Sequence, residues 1–110
     1  MSEKSLELNE IQDFARQIAS QFDPEKIILF GSHAHGNPEV GSDVDLLVLM
    51  EFDGMAQNQA FQIRKALPRE FPLDLLVRRP REFERRIQMG DLFLKDVLEK
   101  GRVLHERTGA

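Results

Sequence analysis

The chain has 110 residues, a net charge of −4 and no cysteine, tryptophan or tyrosine, a length that predicts one domain over residues 1–110. Lack of cysteine excludes disulfide frameworks and thiolate metal sites, the apolar runs are too short to cross a bilayer, and the acidic opening MSEKSLELNE has no signal-peptide core, so a cytoplasmic protein is expected. Charge is uneven, with 3 basic and 11 acidic side chains over residues 1–63 against 12 basic and 8 acidic over 64–110, and a net acidic chain without Trp or Tyr disfavours nucleic acid as a partner.

Ile11, Phe14, Ala15, Ile18, Ala19 and Phe22 recur at helical spacing, which predicts a first helix with Asn9 as cap, Leu8 as staple and Asp23-Pro24 as its exit. KIILF (Lys26 to Phe30) is short, apolar and followed at once by Gly31-Ser32, the pattern of a buried strand ending in a tight turn. VDLLVLM (Val44 to Met50) predicts a second strand. Asp53-Gly54 opens a second helix, whose face is Ala56, Ala60, Ile63 and Leu67 and which Pro68 stops, and PLDLLV (Pro72 to Val77) is a third strand. Beyond Pro80 two helical pieces are split near Gly90-Asp91, with Asp91 as a cap and Gly101 as a stop, and RVLHE is a candidate edge strand. Helices alternating with strands predict an α/β sandwich around a small sheet, although alternation does not set strand directions.

Asp43 and Asp45 lie two apart at the mouth of the second strand. They therefore share one face with Leu47 and Leu49. Their repulsion would raise one carboxyl pKa unless a cation lies between them. Asp74 sits among apolar neighbours in the third strand, where an unpaired buried carboxylate would be costly, so it calls for a partner, either Arg78, Arg79 or another basic residue, or a metal. If the two strands are adjacent, three carboxylates converge on a site suited to a hard cation such as Mg²⁺. SHAH after Gly31 can form the first turn of a helix, with backbone N–H groups and the Ser32 hydroxyl facing an anion, while Gly36 and Gly41 allow the return that brings Ser42 and Asp43 alongside.

The composite of GSHAHG, the five residues NPEVG, SDVDLLV and a later Asp in an apolar strand resembles the nucleotidyltransferase superfamily that includes DNA polymerase beta. At this length it is similar to the minimal nucleotidyltransferases, and the likeness runs from the first helix to RVLHE. The resemblance implies a polymerase beta-like fold, a small mixed sheet flanked by helices. It implies a nucleotide-binding turn at Gly31, Ser32 and Ser42, and catalytic metal ligands at Asp43, Asp45 and Asp74 holding two Mg²⁺ ions, with ATP as substrate. Many relatives carry arginine where this chain has His33 or His35. Arginine is always charged, whereas imidazole loses its charge around ~6.5, so the departure implies weaker or pH-dependent nucleotide affinity unless both histidines are ordinary turn residues.

The expected activity is transfer of AMP from ATP to a hydroxyl of a protein. The resemblance extends to minimal nucleotidyltransferases that act as antitoxins by modifying a HEPN-domain ribonuclease, which makes a HEPN-domain protein the expected partner. A non-catalytic partner-binding antitoxin and a small-molecule, aminoglycoside-type transferase are the alternatives. RRPREFERR, five arginines in nine residues, is either a solvated helix face laced with ion pairs or a docking surface. Homo- or hetero-oligomerisation stays open.

Overall fold

A computed structural model describes residues 8–36 and 41–108. Along the chain these form α1 (Leu8–Phe22), β1 (Lys26–Phe30), β2 (Val44–Leu49), α2 (Ala56–Ala66), β3 (Leu73–Arg78), α3 (Pro80–Gln88), α4 (Leu92–Lys100) and β4 (Arg102–Glu106). The strands build one mixed sheet in the order β3-β2-β1-β4.

The apolar stripes explain the layers. Ile11, Phe14, Ala15 and Ile18 of α1 and Ala60 and Ile63 of α2 pack on one sheet face, against Ile27, Leu29, Leu46, Val48, Leu75 and Val77. Phe83 of α3 and Leu94 and Val97 of α4 cover the other face, against Ile28, Leu47 and Leu49. β2 lies between both layers, which is why it reads as an unbroken apolar run rather than an alternating one. Leu46 and Leu47 are both fully buried, and truncating either to alanine would cost about 2–5 kcal/mol.

β1 and β2 pair antiparallel, with Phe30 opposite Asp45. The crossover through α2 makes β2 and β3 parallel, with Asp45 opposite Asp74. β4 closes the other edge, antiparallel to β1. The sheet end that carries the close of β1 and the starts of β2 and β3 therefore gathers the residues singled out above.

Several local expectations shift. α1 already includes Leu8 and Asn9, so Asn9 is a helical residue and not its cap. Residues 32–36 form successive i→i+3 turns, Ala34 N–H to Gly31 O (3.1 Å), His35 to Ser32 (3.2 Å) and Gly36 to His33 (3.4 Å), and not the start of an α-helix. Apart from Gly41, NPEVG lies outside the described residues. Asp91 caps α4 as expected, accepting from Leu94 N–H at 3.0 Å. Gly101 ends that helix with extended backbone, and its role is close approach: an added Cβ would stand 2.5 Å from Val97 O, 2.6 Å from Ile28 Cγ2 and 2.9 Å from Leu29 O. The C-terminus of α4 is thus seated directly on β1.

Candidate active site

Gly31 sits at the corner where β1 turns away, with φ at 77°, and a Cβ there would collide with Asp45 Oδ2. Only glycine lets the turn backbone lie against that carboxylate without strain. Asp45 emerges on the α3/α4 side of β2, as the two-residue period requires, with Leu47 and Leu49 behind it. Asp74 is its register neighbour on β3. Burial is the largest influence raising the Asp45 carboxyl above its ordinary value, the charges of Asp74 and then Asp43 add to it, and a hydrogen bond with Asp74 favours the protonated form further; the positive charge of His33 opposes these. The three acids thus form one electrostatic cluster.

Asp74 is exposed, contrary to its expected burial. Leu73, Leu75 and Val77 alternate with it and take the core face, leaving Asp74 at the open end of an edge strand. Among the described residues no salt bridge holds it, so the arginine partner considered from the sequence is not the one it finds. Arg78 donates to the Val77 carbonyl (2.9 Å). Arg79 lies 4.0 Å over the Phe52 ring and donates to Phe52 O and Gly54 O, at 3.1 and 2.8 Å from Nη2. Arg86 pairs with Asp91 at 2.9 Å. Arg79 and Arg86 therefore hold a loop and a helix cap in place.

The two histidines separate. His33 is buried, and its Nε2 donates to the Ser42 carbonyl at 3.2 Å. It ties the Gly31 turn to the segment that delivers Asp43. His35 is exposed, as are Ser32 and Asp43, while Ser42 is half-buried. A cavity of about 280 Å³ opens beside this cluster, and its lining includes Gly31, His35, Asp45, Phe93, Asp96 and Lys100. Larger hollows lie beside α2 and β3 (about 360 Å³) and around Arg81 and Arg85 (about 750 Å³), but neither contains a carboxylate of the cluster. The part played by α4 was not anticipated; its signal in the sequence is the spacing of Phe93, Asp96 and Lys100 on one helical face.

With this geometry in place, comparison with known proteins is decisive. Residues 8–105 match the family described as nucleotidyltransferase domain. The chain belongs to that family. A 1.40 Å crystal structure of a candidate nucleotidyltransferase from Sulfolobus solfataricus is similar in fold, with a TM-score of 0.59 at 18% identity, over 91% of this chain and 80% of that one. No curated protein matches significantly. The mixed sheet flanked by helices is thus the nucleotidyltransferase-type fold. No helix among the described residues is long and apolar enough to cross a membrane.

Nucleotidyltransferase domains generally use a nucleoside triphosphate and a divalent metal. Among the described residues no three acidic or histidine side chains form a ready-made metal cage. The donor chemistry nevertheless fits a hard cation. The three carboxylates would offer oxygen ligands, and the raised proton affinity of Asp45 marks negative charge that a cation would offset.

Proposed function

We propose that this nucleotidyltransferase domain moves AMP from ATP onto a hydroxyl of a partner protein, with Asp43, Asp45 and Asp74 holding two Mg²⁺ ions and the Gly31-Ser32 turn, with Ser42 behind it, receiving the triphosphate. The observation that carries the reading is the pairing of Asp45, pressed against the Gly31 backbone, with the exposed Asp74 beside it. Asp45 lies on the nucleotide side. Asp74, on the open edge strand, is where a macromolecular hydroxyl can approach. Divalent ions held by such carboxylates supply charge neutralisation and a lowered pKa for the attacking hydroxyl.

In the transfer, the acceptor oxygen bonds to the α-phosphorus, the bond from that phosphorus to the bridging oxygen breaks, and pyrophosphate leaves with the electron pair. The hydroxyl proton passes to Asp74. A HEPN-domain protein as acceptor, and an antitoxin role, are supported by the likeness of the GSHAHG-to-SDVDLLV composite to the minimal nucleotidyltransferases. The absence of arginine from GSHAHG leaves room for a second reading, a non-catalytic module that acts by contact.

The test is incubation of labelled ATP, Mg²⁺ and a co-encoded HEPN-domain protein with the wild type and with Asp74→Asn, followed by intact mass. A gain of one AMP with the wild type alone is expected. Equal inhibition of the partner by both proteins, with no mass change, would establish the contact module instead.

A further inference from the structure

The cavity beside Asp45 poses an electrostatic problem. A nucleoside triphosphate brings several negative charges to a place already occupied by acids, and the turn lacks arginine. Lys100 is the one permanent cation among the described residues that line the cavity. It ends α4, whose following residue is seated against Leu29 O, two positions before Gly31. Its Nζ pairs with Asp96 at 3.2 Å, with both side chains more than half exposed. An exposed pair of this spacing on a helix contributes little and readily exchanges partners.

Phe93 lies seven residues earlier on the same helical face, with Asp96 and Val97 between at i+3 and i+4. The rise of an α-helix puts about 10 Å along the axis between Phe93 and Lys100, comparable to the reach from base to terminal phosphates in an extended nucleotide. Phe93 is 52% exposed, a large apolar surface left open at the cavity wall. It is held edge-to-face by Phe30, with ring centroids 5.7 Å apart.

We propose that the inner face of α4 is the nucleotide's second binding wall, with Lys100 exchanging Asp96 for the β- and γ-phosphates and Phe93 packing against the base. Lys100 thereby takes the charge-neutralising role for which this turn has no arginine. Asp96 parks the lysine when the cavity is empty and competes with phosphate for it. This assignment rests on the nucleotidyl-transfer reading of the same site.

Three probes separate the parts: ATP, AMP and inorganic tripolyphosphate, titrated in Mg²⁺ buffer by calorimetry against wild type, Lys100→Met, Lys100→Arg, Asp96→Asn and Phe93→Ala, each with its melting temperature recorded. Lys100→Met should weaken ATP and tripolyphosphate by about tenfold, the worth of one charge-assisted contact, and leave AMP unchanged. Lys100→Arg should restore both. Asp96→Asn should tighten ATP, and Phe93→Ala should weaken ATP and AMP while sparing tripolyphosphate. A wild type that binds ATP while Lys100→Met binds it equally well overturns the α4 assignment and leaves the transferase reading intact. Loss of all three probes together with a lowered melting temperature would show a merely structural lysine and overturn it also. A wild type that binds no nucleotide overturns both readings.

Discussion

Asp45 and Asp74 stand opposite each other in the register of parallel strands β2 and β3, and the charge of Asp74 adds to burial in holding the Asp45 carboxyl above its ordinary value. Two acids in this relation are a strained arrangement for a folded chain without a counter-ion, and the strain has measurable signs.

For Asp45 the sign is fixed by the direction of the shift. Its folded carboxyl is raised above the unfolded one, so the folded state binds the proton more strongly, and stability is lost as pH rises from the ordinary carboxylate range into the raised range. Asp45→Asn removes that loss. Melts in EDTA should show the variant equal to wild type near pH 3 and more stable at pH 7, with transfer abolished. Mg²⁺ with ATP should then stabilise the wild type and not the variant. A variant that unfolds at pH 7 would mean that Asp45 is held by a structural ion pair.

Gly31→Ala places a side chain where φ is 77° and where its Cβ meets the Asp45 carboxylate. The left-handed backbone alone costs about 1–2 kcal/mol for a non-glycine residue. Urea denaturation should show at least that loss, together with loss of transfer. Shortening the opposing side chain relieves the collision, so Gly31→Ala with Asp45→Gly should be less destabilised than the sum of the single changes, by about 0.5–3 kcal/mol in a double-mutant cycle.

His33→Ala leaves the Ser42 carbonyl without its imidazole donor and opens a buried space. The expected destabilisation is about 1–3 kcal/mol, read from denaturant midpoints. Transfer should fall further than stability explains, because the segment that carries Asp43 loses its tie to the Gly31 turn. His35→Ala, at an exposed position, should leave stability within about 0.5 kcal/mol of wild type. Equal effects from the two changes would contradict the division of roles.

Asp91 offers the opposite sign. The Leu94 N–H first, then the Arg86 guanidinium, hold its carboxyl below the ordinary value. The folded state therefore prefers the charged form, and the stability it supplies, present above the ordinary carboxylate range, is lost as pH falls through the depressed range. Asp91→Ala should lower the melting temperature at pH 7, with the difference from wild type shrinking as pH is taken below 3. An unchanged difference across that range would assign the effect to packing instead of the charged cap.

The elements legible in the sequence were those written in local chemistry. The helical period shows in the core stripe of α1, continuous apolar runs mark β1 and β2, the Asp91 cap is a short-range hydrogen bond, and RVLHE is β4 from its first residue to its last. The composite from Gly31 to Asp45 was legible for the same reason, since a turn and a strand start are neighbours in the chain. What sequence could not decide depends on which surfaces meet. SHAH could have begun a crossover helix, and only the strand pairing shows β1 and β2 antiparallel with Phe30 opposite Asp45. Asp74 reads as buried because its chain neighbours are apolar, yet strand alternation at a sheet edge turns it outward. His33 and His35 are alike in composition and two apart, but burial and the reach to Ser42 separate them. Phe93 and Lys100 have no motif linking them to Gly31; they reach its cavity because Gly101 has no Cβ to hold α4 away from β1. Periodicity is a property of adjacent residues, whereas register, facing and cavity walls are settled by packing between residues far apart in the chain.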